Sequence, residues 1–440
     1  MKKTFVLFLM AMVAAAQLVA GNYSLESLRL SRESGFYKCG EEVVITGKLL
    51  ENRKPVTVGK VRALILWENR KIAEQEFTCN GEPFRFTYKS DKPGWVCFQL
   101  QVIDAEGKVV ENPLRRPLQN RKKLLVGEIG ALFDAEAIRC TVPEPENFDA
   151  FWREQREKLD KVPFNTKLTK IDSGDPKIEA YAVTVDTGVD RPVTAYLAFP
   201  AGAAPKSLPG YVSFLSWSWC DISPKGAVTW AKHGVIALFA SWHGLPVGQP
   251  AEFYQAEQKK FKSGYKLNRP GEWTMGYVYI RVMRALDYLK SRPEWNGRDL
   301  VVRGGSLAGA ETAAAAALDP AVTLAFIHTP CFAEFNADLD GRCRSIPIAG
   351  YKTSWMTPSV RKGAGYYDLV NLAKRIKCEV YFCTGFADQV CPPSNVFAAY
   401  NNIPAGVKKV MWTNPRTGHY GTTRDVSGEA RFNEFLRTKK

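Results

Sequence analysis

The sequence predicts an α/β fold, a mainly parallel doubly wound sheet, preceded by a small all-β domain. Two observations carry this. Residues from about 23 to 126 hold short runs with period-two alternation and many β-branched or aromatic residues, separated by Gly, Asn, Asp and Pro. From about 178 onward, apolar strand-like runs alternate with amphipathic helical ones. That rhythm belongs to a parallel sheet covered on both faces by helices.

The chain opens "MKKTFVLFLMAMVAAAQLVAG": Lys2 and Lys3, then an apolar run, then small residues. This is the layout of a secretory signal peptide over residues 1–20, cleaved at Ala20 or Gly21. It predicts an exported protein, periplasmic or extracellular. The run is short for a bilayer span of about 20 apolar residues. No later segment is long and apolar enough either, so the mature chain is expected to have no membrane span. In 23–126, "EEVVITGKLL", "KVRALILWE", "PFRFTYKS" and "GWVCFQLQVID" read as strands of a sandwich of the immunoglobulin type. Residues 127–177 read as linker and leading helix. Pro143 and Pro145 disfavour helix in "GEIGALFDAEAIRCTVPEPENF", and "NFDAFWREQREKLDKV" opens a helix capped by Asn147 or Asp149.

Residues 178–440 form the candidate catalytic domain. Its candidate strands are "GYVSFL" (210–215), "GVIALF" (234–239), "LVVR" (300–303), "TLAFIH" (323–328), "EVYFCT" (379–384) and "KKVMW" (408–412). The clearest helix runs from Met275 to Lys290, with Val278, Val282, Ala285, Leu286 and Leu289 on one face.

At 440 residues and 45% hydrophobic, the chain can bury a sizeable core in two or three domains. Its formal charge of +15 comes from scattered Lys and Arg, which with export argues against a nucleic-acid partner. Such a surface suits an acidic polysaccharide or plain solvation. Ten cysteines occur, none spaced C-x-x-C, and no histidine pair has zinc-ligand spacing. The sequence therefore supports no metal site, and it does not fix any disulfide pairing.

Ligands of such sheets bind at the carboxyl ends of the strands, so chemistry is sought there. In "VVRGGSLAGAETAAAAALDP" (301–320) a strand ends in two glycines and Ser306, and a helix-prone run follows at once. A turn that tight admits only small residues two places either side of the serine, and Gly304 and Ala308 meet that demand. Such a turn lifts the hydroxyl above the sheet and aims the N–H of Leu307 at the same point. A glycine-rich turn packed for its own sake, or one binding phosphate, would read similarly. A serine needs a base, and the base an orienting acid. Of the four histidines, His233 precedes Gly234 where a helix ends, while His243 and His328 each follow a strand. His419, in "NPRTGHYGTT", follows the last strand, and Asp388, in "GFADQVCPPSN", follows the one before. The order Ser306, Asp388, His419 is the chain order of α/β-hydrolases.

These motifs resemble the acetyl xylan esterase and cephalosporin C deacetylase family. The resemblance runs from "VPEPENFDAFW" (142–152) nearly to the end and is densest in "YYDLVNLAKRIKCEVYFCTGFADQVCPPSNVFAAYN" (366–401) and "RALDYLKSRPEWNGRDLVVRGGS" (284–306). It implies an α/β-hydrolase fold, no cofactor, an acetylated carbohydrate as substrate, and a homo-oligomer as one assembly. It carries over Ser306, Asp388 and His419, each inside a matching motif. Leu307 and Ala308 stand where the family has Gln and Gly, and "LSWSW" (215–219) replaces its His-Gly-Tyr. That puts Trp217 at the position of the second oxyanion donor. "WHGLPVGQP" (242–250) replaces its Arg-Gly-Gln and puts His243 at the arginine.

The reading is thus an exported serine esterase that deacetylates sugars or xylan. Leu307 and Trp217 supply oxyanion N–H groups, and Trp219, Trp242 and His243 are candidates for substrate contact. Two alternatives use the same residues: a non-catalytic carbohydrate-binding protein on this fold, and a peptidase or other acyl hydrolase.

Overall fold

A computed structural model describes residues 22–111, 125–261, 266–421 and 426–438. The expected signal peptide lies outside the described residues. The chain divides into two compact units, one ending at Phe133 and the other comprising Pro93–Trp95 and Asp134–Lys440.

The first unit contains β1 (Tyr23–Leu30), β2 (Phe36–Tyr37), β3 (Glu42–Glu51), β4 (Lys54–Pro55), β5 (Lys60–Trp67), β6 (Arg70–Thr78), β7 (Phe84–Lys89), β8 (Gly94–Ile103) and β9 (Gly127–Phe133). One sheet joins β1, β3, β4 and β7; the other runs β2-β9-β8-β5-β6. Because successive side chains point to opposite faces, Val43, Ile45, Phe84 and Phe86 of the first sheet enter one apolar cluster. They meet Val61, Ala63, Ile65 and Phe98 of the second there. The β3–β4 hairpin turns through Asn52 (φ 50°) and Arg53 (φ 66°), and β5–β6 through Glu68 (φ 46°) and Asn69 (φ 63°). Two positive-φ residues in a two-residue loop match the twist of the flanking strands. Residues 127–133, expected as linker, instead form β9, buried along its whole length. Gly127 and Gly130 break the run, and burial on both sides removes the alternation that marked the other strands.

The second unit is an α/β fold. Its strands are β10 (Lys167–Ile171), β11 (Ile178–Val185), β12 (Val193–Pro200), β13 (Leu208–Phe214), β14 (Ile236–Ala240), β15 (Trp295–Gly305), β16 (Leu324–His328), β17 (Glu379–Gly385) and β18 (Lys409–Asn414). They lie in the order β10-β11-β12-β14-β13-β15-β16-β17-β18. The pairings β10·β11, β11·β12 and β12·β14 are antiparallel, and all later ones are parallel. The parallel strands are the six read from the sequence. The antiparallel strands before them were not anticipated. β10 is exposed over nearly all its length, so it carries no hydrophobic signature.

The chain moves outward from β13 to β14 and then returns to place β15 on the other side of β13. The order reverses between β13 and β15, which opens a crevice at their carboxyl ends. The helices are α1 (Phe148–Asp160), α2 (Pro224–Ala231), α3 (Ala251–Lys260), α4 (Tyr277–Ser291), α5 (Leu307–Leu318), α6 (Pro358–Gly365), α7 (Leu369–Leu372), α8 (Pro393–Asn401) and α9 (Val426–Thr438). Asn147 stands at the start of α1 but makes no side-chain cap bond; its Oδ1 accepts from the Tyr366 hydroxyl instead.

The apolar face expected for α4 is buried, and so are Tyr279, Ile280, Arg281, Met283 and Arg284. A helix enclosed this fully must satisfy its charged residues internally. Arg281 donates to the Trp242 carbonyl and to Asp190, and Arg284 donates to the carbonyls of Leu159 and Val162. All ten cysteines are free thiols, and no helix among the described residues is long and apolar enough to cross a membrane.

Leu286 is wholly buried in α4. Leu286→Ala is expected to destabilise the second unit by about 2–5 kcal/mol through lost transfer energy and a residual cavity. A lower urea midpoint with unchanged slope is the signature; no change in midpoint would mean that α4 does not hold this core together.

Candidate active site

The site is built where β15 runs into α5. Ser306 stands between them with φ 59° and ψ −120°, a conformation L-residues rarely adopt. It is pinned on three sides. Its N–H donates to the His328 carbonyl at 3.0 Å, and its own carbonyl accepts from Cys331 and Ala310 N–H, both at 3.1 Å. The turn is closed so tightly that a Cβ on Gly304 would lie 2.3 Å from the Ala308 carbonyl oxygen. Leu307 is the first residue of α5. N–H groups of a first helical turn have no intrahelical acceptor and carry the positive end of the helix dipole. Burial pushes the Glu311 carboxyl on the same helix well above its usual range, against the opposing pull of the Arg281 charge.

Asp388 follows β17 and is completely buried. Its Oδ1 accepts the N–H groups of Val390 (2.8 Å) and Cys391 (2.9 Å). Its Oδ2 lies 2.9 Å from His419 Nδ1, and His419 Nε2 lies 2.9 Å from Ser306 Oγ. A carboxylate can only accept, so Nδ1 carries the proton and the Nε2 lone pair faces the serine hydroxyl. The loop bearing His419 reaches this position because β17 ends in Gly385. A Cβ there would meet the Thr417 carbonyl oxygen at 2.1 Å, and that carbonyl instead accepts from Ala387 N–H at 3.1 Å.

Ser306, Leu307 and His419 line a cavity of about 1180 Å³, together with Trp217, His328 and Tyr420. The structure thus brings Ser306, Asp388 and His419 into one hydrogen-bonded line and places Leu307 and Trp217 on the same cavity. It does not place the remaining sequence candidates there. Trp242 is buried, stacks beneath Trp217 at 4.5 Å between centroids, and donates its Nε1–H to the Ser218 carbonyl at 3.0 Å. Trp219 meets Trp242 edge-on at 5.0 Å. His243 is buried with them: its Nδ1 accepts from Leu245 N–H, and its Nε2 faces the Cys220 carbonyl. Neither Trp242 nor His243 offers a surface to a substrate; both support the loop that carries Trp217. Position after β14 was legible, but side-chain direction was not.

His328 borders the cavity, though its main chain is what touches Ser306. His233 is exposed beyond α2, with its N–H on the Trp230 carbonyl. Two site residues had escaped notice. Tyr420 is 66% exposed on the cavity wall beside His419, and "GHYG" gave only a faint signal. Cys391, beneath the reacting groups, matches no spacing motif.

A model of the acetyl xylan esterase (AXE1) family matches residues 134–424 of this chain. The acetyl esterase Axe7A of Xylanibacter ruminicola is 30% identical over 318 residues, covering 70% of this chain and 70% of that one. Among solved structures, an acetyl xylan esterase from Paenibacillus sp. R4 superposes with a TM-score of 0.59 at 24% identity, covering 69% of this chain and 98% of that one. Acetyl xylan esterase 1 from Thermoanaerobacterium sp. JW/SL YS485 does so with a TM-score of 0.57 at 23% identity, covering 69% and 97%.

Burial pulls the His243 imidazole down to about 4. The folded state then refuses a proton that the unfolded chain accepts near pH 6.5. Its contribution is complete above that value and is lost as pH falls from about 6.5 toward 4, a change of about 3 kcal/mol. His243→Gln is expected to flatten this part of the stability–pH curve relative to the unmodified protein. Parallel curves through pH 4–6.5 would show that His243 is not held neutral.

Proposed function

The chain belongs to the acetyl xylan esterase (AXE1) family, and on that premise we propose that it deacetylates carbohydrate esters through a serine acyl-enzyme. The observation that carries this is the unbroken Asp388–His419–Ser306 hydrogen-bonded line at the edge of an open cavity. Ser306 Oγ attacks the ester carbonyl as its proton passes to His419 Nε2. Asp388 keeps the imidazole in the required tautomer and stabilises the imidazolium that forms. The developing oxyanion is received by the N–H of Leu307, aided by the α5 dipole, and by the N–H of Trp217. His419 then gives the proton to the departing sugar oxygen, which leaves as a hydroxyl. Water, activated by the same imidazole, releases acetate and restores Ser306.

The reading requires no cofactor. It includes export of the chain and a sandwich of the immunoglobulin type for the first unit, supported by its two sheets sharing one core. Trp217 and Tyr420, both exposed on the cavity, suit the apolar face of a pyranose.

Ser306→Ala is expected to lower turnover of an aryl acetate by at least about 10⁴-fold with the fold intact. His419→Ala should match it, because the two act as one unit. Circular dichroism establishes folding and a chromogenic assay the rate; undiminished hydrolysis by folded Ser306→Ala would end the mechanism.

Acyl length tests the deacetylase part separately. Each methylene that found room in the cavity would add up to about 0.8 kcal/mol of binding. A site suited to acetyl groups should give the highest kcat/KM on acetate or propionate and a fall toward octanoate. A steady rise across the series would point to a long-chain esterase.

A further inference from the structure

Metal motifs are absent from the sequence, yet the fold gathers three different ligand types beneath the serine. The ligating atoms of Asp388, Cys391 and His419 all lie within 4.8 Å of one another. Cys391 follows Asp388 by three residues, in the turn whose N–H groups hold the carboxylate. Its thiol is buried. Sulfur, imidazole nitrogen and carboxylate oxygen together suit a borderline-soft divalent ion better than magnesium or calcium. With metal–ligand bonds of about 2.0–2.3 Å, tetrahedral ligands stand roughly 3.5 Å apart, so shifts of about an ångström would complete the shell.

We propose that Asp388, Cys391 and His419 form a binding site for a thiophilic divalent cation of the zinc type, and that the bound ion switches off ester hydrolysis. Binding breaks the Cys391 S–H bond and releases that proton to solvent; no electron is transferred. Thiolate and carboxylate together balance the double charge. A water from the cavity, or the Ser306 hydroxyl, takes the fourth position. Coordination through Nε2 takes the lone pair of the base; coordination through Nδ1 first moves the Nδ1 proton to Nε2, which then faces the serine as a donor and can no longer accept. Nε2 is the atom that receives the serine proton, and Nδ1 is the one Asp388 holds.

A second cluster, Cys140, Glu334 and Asp340, has similar spacing. There the Arg342 guanidinium already pairs with both carboxylates and occupies the place of a cation.

The inhibition half of the proposal rests on His419 being the working base; the binding half does not. The test is calorimetric titration of the full chain with zinc chloride, paired with aryl acetate hydrolysis at rising zinc. Each rate is taken relative to that protein's own zinc-free rate. The unmodified protein should bind one equivalent and lose activity in step. Cys391→Ala and Cys391→Val should each raise the half-inhibiting zinc concentration at least tenfold. Cys140→Ala and Cys220→Ala should leave it unchanged, and Ser306→Ala should still bind zinc. Equal inhibition of a folded Cys391 variant, or a loss of inhibition that follows Cys140 or Cys220, overturns the site. Inhibition by magnesium at the same concentration overturns the thiophilic assignment. Stoichiometric binding through Cys391 with hydrolysis untouched would keep the site and instead remove His419 from the proposed mechanism.

Discussion

The backbone of Ser306 is the constraint around which the second unit is arranged. Holding a non-glycine residue at φ 59° and ψ −120° costs about 1–3 kcal/mol, and the surroundings must supply it. They do so through the end of β16, whose His328 carbonyl takes the Ser306 N–H, and through Cys331, whose N–H returns to the Ser306 carbonyl. The parallel register that sets Gly304 against Ile327 and Gly305 against His328 is therefore part of the site. Small residues at 304 and 308 are required by contact distance, because Gly304 has no room for a Cβ.

The same logic extends to the neighbouring loops. Asp388 is wholly buried, yet its carboxylate is satisfied by two N–H groups and one imidazole, so the acid is held in one orientation before any substrate arrives. The segment after β13 rests on stacked rings, Trp217 on Trp242 with Trp219 edge-on. Arg281 of α4 fastens that stack from below by donating to the Trp242 carbonyl. A charged helix residue thus orders the segment just after β14 that backs Trp217, without lining the cavity itself. This kind of rigid backing lets main-chain donors act without reorganising.

Much of this was legible in the chain itself, for physical reasons that differ by element. The parallel strands are short apolar runs because both their faces are covered, and each of Ser306, Asp388 and His419 announces itself by following one. β10 was silent because it is exposed on an antiparallel edge. β9 was silent because glycines interrupt a strand buried on both sides. Trp242 and His243 sit where a site residue could be, directly after β14, but their side chains turn inward. Sequence position locates the end of a strand, whereas the direction of a side chain depends on what packs against it. Cys391 shows the complementary case: its three-residue spacing from Asp388 means nothing until the loop after β18 brings His419 alongside.

That distinction also explains how the chain can depart from its relatives' motifs and keep the geometry. The groups proposed to receive the oxyanion are main-chain N–H groups of Leu307 and Trp217, and a change of side chain leaves such donors in place. What a side chain can alter is the shape of the loop that aims them. At 307 and 308 the shape is fixed by the strained turn, so Leu and Ala are tolerated. At 217 it is fixed by stacking, and the ring beneath must be large, flat and anchored, as Trp242 is through its bond to the Ser218 carbonyl. His243 completes that base as a neutral imidazole, accepting from Leu245 N–H and facing the Cys220 carbonyl. A cation at that position would have the Cys220 carbonyl and the Ser241 hydroxyl as neutral partners among apolar rings, with Arg281 and Arg191 close enough to repel it. An uncharged ring that both accepts and donates is the group this place can hold.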